Sequence, residues 1–205
     1  MKKENKEAEL DDVRPEEIEP KKSWLKDLLQ TVLMLGLTVL FCLAFFRYVG
    51  QRVAVEGRSM NTTLQDQDQL IIDCFTYRFL HGPERYDIVV FRLKDDPKTY
   101  YIKRVLGLPG ETIQIIDSKI YINGTVIDDP YAYLGGLDHF SAGAAADPIT
   151  LGENEYFVMG DNRNDSIDSR FSVGPVNRSQ LIGRAFFRIL PFKKAGNIEP
   201  ARAAE

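Results

Sequence analysis

One uncharged apolar run constrains this chain more than any other feature. Residues 28–46 read LLQTVLMLGLTVLFCLAFF and contain no charged side chain. A run of this length can span a bilayer as an α-helix, and the flanking Trp24 and Tyr48 are typical of a membrane interface. Arg47 and Arg52 follow it, where a cleaved signal peptide would have a site of small residues. The run therefore predicts an uncleaved anchor over 23–48, and the alternative is a helix buried in a soluble core.

The composition of the remaining chain changes on either side of this anchor. Residues 1–22 are dense in Glu, Asp and Lys and predict a solvated, disordered tail, and 193–205 predict a second tail. Apolar residues make up 44% of the chain, so the region 49–192 can form one domain with a core. The net charge of −4 gives no reason to expect a nucleic acid partner. Basic residues lie on both sides of the anchor, so charge alone does not orient it.

Short runs of β-branched and aromatic residues follow the anchor. YDIVVFRL, TYYIKRVLGL and KIYINGTVI each fit a strand, and the pair Asn123-Gly124 predicts a tight hairpin. We expect a mostly β fold, an antiparallel barrel-like or sandwich-like domain preceded by one transmembrane helix. Residues 131–150 are rich in Gly and Ala without a pattern, which predicts a mobile surface loop. Because Cys42 lies in the apolar run, a disulfide with Cys74 is not expected, and no spacing predicts a metal site.

Ser59, in the stretch VEGRSMNTTL, is a candidate nucleophile. A serine is a weak nucleophile unless a base accepts its proton. The two histidines, His81 and His139, lie in a turn and in the Gly-rich stretch, where ordinary surface positions are expected. No GxSxG motif is present. The remaining candidate base is a lysine, as in the Ser–Lys variants of the catalytic triad.

Lys103, in TYYIKRVLGL, is the lysine that best fits this role. On a strand it shares a face with Tyr101 and Val105, so apolar groups flank it. A base requires a pKa of roughly 7–8, and burial among such groups lowers the pKa of a lysine. The alternative is an ordinary lysine that reaches water from a strand edge.

A third stretch, GDNRNDSIDSR over 160–170, concentrates hydrogen-bonding side chains. Burying such side chains costs free energy of folding unless they form hydrogen bonds with one another. The stretch is therefore either a solvated turn or a network that holds catalytic groups in place.

Taken in order, the anchor, GRSMNTTL, YDIVVF, YIKRVLGLPGE and GDNRNDSIDSR resemble the type I signal peptidases. These are membrane-bound serine endopeptidases that remove signal peptides, and the resemblance, to the compact form of Gram-positive bacteria, runs from about Trp24 to Pro191. It implies Ser59 as nucleophile and Lys103 as general base, with no cofactor and no metal. It also implies supporting roles for Ser166, which would orient the lysine, and for Asp168, Gly57, Asp161 and Arg104.

The resemblance also implies where the substrate and the membrane lie. Met60 matches a residue near the substrate groove, and we expect Ile88, Val89, Val90 and Tyr101 to line shallow apolar pockets for an Ala-x-Ala-like site. The expected partners are precursors with signal peptides, the lipid bilayer and the nearby export translocon. The catalytic domain is then expected outside the cell membrane, with the amino terminus in the cytoplasm.

Two residues depart from the pattern of that family. Thr62 replaces a proline that would fix φ, and Tyr86 replaces the common glycine before Asp87. Neither change removes a catalytic group. They leave open a catalytically impaired relative that acts as a binding or scaffold protein. A self-cleaving repressor-type protease is a further alternative, although such proteins lack an anchor.

Overall fold

The computed structural model describes residues 24–48 and 50–198. Its first element is the helix α1, Trp24–Tyr48, and the side chains described along it are exposed. By length and composition, the part Trp24–Phe45 can cross a membrane. Because these side chains are not buried, the alternative of a buried core helix is not supported. The predicted tail 1–22 and residues 199–205 lie outside the described residues. The first part of the predicted tail 193–205 is instead folded, because Gly196–Asn197 form a strand that pairs with Phe187 and Arg188, and Ile198 is buried in a core cluster.

Residues 50–198 form two antiparallel sheets, one short α-helix, α2 (Phe75–Phe79), and three short 3₁₀ helices, Gly143–Ala146, Arg178–Gln180 and Phe192–Lys194. The strands are β1 (Gln51–Ala54), β2 (Gln69–Asp73), β3 (Ile88–Phe91), β4 (Tyr101–Gly107), β5 (Thr112–Ile116), β6 (Lys119–Ile122), β7 (Thr125–Val126), β8 (Ile149–Thr150), β9 (Glu155–Met159), β10 (Val176–Asn177), β11 (Leu181–Leu190) and β12 (Gly196–Asn197). The mostly β, antiparallel fold with one amino-terminal apolar helix is confirmed. The hairpin at Asn123-Gly124 is also present, between β6 and β7.

In the larger sheet, the strand order is β1-β2-β11-β3-β4-β9-β10, and β12 also pairs with β11. The strand β11 lies between β2 and β3, although it follows both by about 90 residues or more in the sequence. The strand β3 pairs with β4, so that Val89 is opposite Lys103. The smaller sheet has the order β7-β6-β5-β8.

Apolar side chains form three buried clusters around these sheets. One contains residues of β1, β2, β3, β4 and β11, among them Leu70, Ile88 and Val90. A second packs under the smaller sheet, and a third contains Val89 and Phe91. Since all four residues of β3 are buried, this strand is covered on both faces.

The segment 131–150 differs from the mobile surface loop that its composition predicted. Phe140 and Ala145 are buried in the second cluster. The backbone N–H of Ala144 donates to the carbonyl of Arg170, and Tyr133 forms a β-bridge with Asn162. The segment lacks a local pattern because contacts with residues 160–170, distant in sequence, hold it.

Candidate active site

Ser59 lies in the tight loop that joins β1 to β2. Gly57 has a φ of 86°, a conformation that favours glycine, and its N–H donates to Asp66 Oδ1 at 2.8 Å. The buried side chains of Met60 and Leu64 fix the loop to the first core cluster. The loop therefore holds the Ser59 hydroxyl at a defined place at the end of β1.

The structure brings the side chain of Lys103 to this hydroxyl. Lys103 Nζ lies 2.7 Å from Ser59 Oγ and 3.1 Å from the carbonyl oxygen of Ile102. The lysine is 5% exposed. Burial lowers the pKa of Lys103 to about 8, although the nearby carboxylates of Asp168 and Asp161 act in the opposite direction.

The turn 160–170 packs directly against the serine loop. The N–H of Asn162 donates to the carbonyl of Ser59 at 3.0 Å, and its side-chain amide donates to the carbonyl of Arg58. A Cβ at Gly160 would lie 2.3 Å from Ser166 Oγ and 2.4 Å from Ser59 O, so only glycine allows this approach. The sequence block GDNRNDSIDSR is thus a network in contact with the serine loop, and not a solvated turn.

Two buried ion pairs fix this turn. The Arg104 guanidinium donates to both carboxylate oxygens of Asp161, at 2.8 and 2.7 Å, which ties the turn to β4. Arg170 donates to Asp168, which also accepts the N–H of Gly160 at 3.0 Å. Both carboxylates are thus paired with an arginine and hydrogen-bonded, as a buried charge requires.

Ser166 lies in the same turn without the contact expected of it. Its Oγ is buried and has no hydrogen-bond partner among the described residues, so it does not bond the Lys103 amine in this structure. The side chain nevertheless lines the same groove as Ser59 and Lys103. A buried hydroxyl without a hydrogen-bond partner costs folding free energy, and a catalytic role is one explanation for such a group in a native structure.

Ser59 and Lys103 lie in an open groove of about 870 Å³. It is lined by β1 and the loop after it, by the first residues of β4 with those before them, and by the turn at Asn164–Ile167. Met60 and Tyr101, predicted as substrate contacts, both belong to this lining. A groove of this form has room for an extended peptide.

The other predicted substrate contacts lie elsewhere. Ile88, Val89 and Val90 belong to two core clusters and are not among the residues that line the groove. The apolar lining comes instead from Val53, Val55 and Ile102. A uniformly apolar strand is buried on both faces, whereas a groove wall requires one exposed face.

Several site residues were missed from the sequence. Thr63 Oγ1 donates to Asp161 Oδ2 at 2.5 Å, and Arg58 pairs with Asp165 at the groove. Only their places beside the serine block and within the polar block could have indicated them. The two histidines, as expected, are exposed. Among the described residues, no group of His, Cys, Asp or Glu side chains is arranged to hold a metal ion.

A serine hydroxyl bonded to a buried amine at the edge of a peptide-sized groove is the arrangement of a serine hydrolase. Comparison with known proteins also indicates a hydrolase and identifies the family. The family model described as signal peptidase, peptidase S26, matches residues 25–190, and the chain belongs to this family. It is therefore a serine endopeptidase that acts on precursors bearing signal peptides.

Two bacterial relatives agree with this assignment. The chain is 32% identical to signal peptidase I S of Bacillus subtilis (strain 168), over 82% of this chain and 92% of that protein. It is 34% identical to a probable signal peptidase I-2 of Synechocystis sp., over 89% and 81%. A solved signal peptidase I from Enterococcus faecalis V583 has 31% identity and a TM-score of 0.42, covering 50% of this chain and 96% of that one. Together with the apolar helix, the family suggests membrane anchoring.

Proposed function

We propose that this enzyme cleaves signal peptides with Ser59 as nucleophile and Lys103 as general base. The observation that carries the proposal is the 2.7 Å contact between Lys103 Nζ and Ser59 Oγ, in a site where burial favours the neutral amine. About a tenth of a lysine with a pKa near 8 is neutral at pH 7, against well under about 1% of an ordinary one. This fraction can accept the serine proton.

The reaction then follows in two steps. Lys103 takes the proton of Ser59 as its oxygen attacks the scissile carbonyl, and the resulting ammonium donates that proton to the leaving amine. A water that gives its proton to Lys103 then attacks the acyl-enzyme, and the lysine returns this proton to Ser59 Oγ as the bond to the acyl group breaks. The N–H of Gly57 is engaged by Asp66, so we assign the backbone N–H of Ser59 to the oxyanion.

The remaining groups hold this pair in place. The ion pairs Arg104–Asp161 and Arg170–Asp168 support the turn behind the lysine. The unpaired Ser166 hydroxyl is suited to orient Lys103 once a substrate closes the groove. Small residues of an Ala-x-Ala-like site suit the shallow apolar lining at Val53 and Ile102.

The arrangement in the membrane belongs to the same proposal. The anchor is the segment 23–48, the tail 1–22 is cytoplasmic, and the domain 49–192 faces the outside, where exported precursors emerge beside the translocon. An enzyme whose substrate keeps an apolar helix in the bilayer must act at the bilayer surface. Only two residues separate the end of α1 from β1, and this short connection supports the proposal.

The test is cleavage of a purified exported precursor by full-length enzyme in lipid. Wild type should cut after the Ala-x-Ala site, whereas Ser59→Ala and Lys103→Ala should lose at least about a thousandfold in kcat/KM. Lys119→Ala, at an exposed position on β6, is the matched control and should keep full activity. Activity retained in Lys103→Ala would refute the proposed base. A wild-type protein that is folded but cleaves no precursor would instead favour the alternative of a catalytically impaired binding or scaffold protein.

A further inference from the structure

An exposed ion pair lies on the groove beside the reaction centre. Arg58 Nε is 3.1 Å from Asp165 Oδ2, and the two side chains are 72% and 49% exposed. Both residues line the groove that contains Ser59 and Lys103. The pair connects the serine loop to the turn 160–170, the two segments that meet at the site.

The backbone beneath this pair is fixed, whereas its charged ends face solvent. The carbonyl of Arg58 accepts hydrogen bonds from the N–H of Asn61 and from the Asn162 amide, both at 3.1 Å. Arg58 directly precedes the serine, and Asp165 directly precedes Ser166. A peptide whose carbonyl reaches Ser59 Oγ occupies the groove that both charged side chains line.

The pair is too exposed to serve mainly as a structural link. Exposed ion pairs contribute little to stability, because water screens them and ordering two long side chains costs entropy. The buried pair Arg104–Asp161 already ties the turn 160–170 to the sheet. A charged side chain of a bound peptide can thus replace either Arg58 or Asp165 at little cost.

The chemistry of the groove indicates which part of a precursor meets the pair. The lining of Val53, Val55 and Ile102 suits the small residues before the scissile bond. Charged groups suit the polar chain that follows the bond. We propose that the Arg58–Asp165 pair determines specificity for the charge of the first residues after the cleaved bond. This inference rests on the proposed function and adds a substrate preference to it.

The test compares three precursors that carry Glu, Gln or Lys directly after the scissile bond. Asp165→Asn leaves Arg58 without its partner, so the ratio of kcat/KM for the Glu precursor over the Lys precursor should rise up to about fivefold. Arg58→Gln should shift the same ratio in the opposite direction by a similar factor. Both shifts should shrink at 0.5–1 M salt, roughly the range in which screening is strong.

Two controls separate this role from a structural one. Glu153→Gln and Lys119→Gln change the same charges at exposed positions outside the groove and should leave the ratio unchanged. The same charges placed at the middle residue of the Ala-x-Ala site should not respond to the Arg58 and Asp165 variants.

The possible results distinguish this inference from the proposed function. Equal losses for all three precursors, or a response only at the middle residue, would overturn the inference while the proposed function stands. A wild type that cleaves none of the three precursors would remove the proposed function and this inference together.

Discussion

The pKa of Lys103 connects burial to chemistry at the scale of a single residue. Burial raises the free energy of the charged ammonium and so lowers the pKa of Lys103. A larger fraction of the amine is therefore neutral beside Ser59. Asp161 and Asp168 oppose this effect, but each is paired with an arginine, which limits the charge that the lysine experiences. The balance leaves the amine near half-neutral in mildly alkaline solution.

The activity of the enzyme should follow this titration. If Lys103 is the general base, as we propose, only its neutral amine accepts the serine proton, and kcat/KM should rise about tenfold per pH unit below pH 8 and level off above it. Steady-state cleavage of one precursor between pH 6 and pH 9.5 measures this profile. A flat profile over that range would assign the proton to a different group.

Ser166 allows a test that separates orientation from folding. Its buried hydroxyl has no partner among the described residues, so Ser166→Ala should leave the free energy of unfolding nearly unchanged. If the hydroxyl orients Lys103 during the reaction, kcat should nevertheless fall at least about tenfold. The measurements are kcat and urea unfolding of the full chain in detergent.

Ser169, three residues later, provides the matched control. Its buried Oγ accepts the N–H of Val158 at 2.9 Å, so Ser169→Ala should lose about 1 kcal/mol of stability and keep its activity. Equal kcat in wild type and Ser166→Ala would show that the serine does not orient the base.

At the scale of elements, β11 is the strand on which the larger sheet depends. It pairs with β2 on one side and with β3 on the other, and its register shifts twice along β2 and once along β3. Gly183 lies where β11 passes the end of β2. A Cβ there would be 2.3 Å from the carbonyl oxygen of Asp73, so the strand can approach only without a side chain.

A methyl group at Gly183 should therefore lower the stability of the domain. Gly183→Ala must push β11 away from the backbone of β2, and we expect a loss of about 3 kcal/mol or more in the free energy of unfolding. In Gly152→Ala, the added Cβ meets only the movable carboxylate of Glu155 at 3.2 Å, so this control should stay near wild type. Thermal unfolding of both variants is the measurement, and equal midpoints would contradict the expectation.

Local patterns predicted those elements whose contacts are local. The runs around Asn123-Gly124 gave a hairpin because turn and strands are adjacent in sequence. The segment 131–150 was missed since its partners, including Arg170, are distant in sequence. The run of Ile88 to Val90 was placed on the groove because a strand's apolar residues do not reveal whether one or both faces are buried. The closeness of Ser59 and Lys103 came from family resemblance, as no spacing rule joins residues 44 positions apart.

At the scale of the whole molecule, the chain combines an apolar helix with a β domain that starts almost at once. The helix ends at Tyr48, and β1 begins at Gln51. Most charged residues of the domain are on its surface, whereas the large apolar side chains of the helix are exposed. This separation suits a bilayer for the helix and water for the domain.

The orientation of the β domain relative to the membrane can be tested by labelling one added cysteine. Thr125→Cys, at the exposed first residue of β7, should react with a membrane-impermeant maleimide in intact cells if the domain faces outward. Wild type under the same conditions gives the background from Cys42 and Cys74. Labelling that requires broken cells would place the domain on the cytoplasmic side.

The position of β11 also sets when the enzyme can begin to work. Ser59 follows β1 and Lys103 lies in β4, and the sheet order places β11 between β2 and β3, that is, between the halves that carry these two residues. In the sequence, β11 comes after both of these halves. Until about residue 190 has been made, the growing polypeptide has a serine and a lysine but no strand to join their halves. Because translation proceeds from the amino terminus, we expect the proposed proteolysis to begin only after β11 has been made.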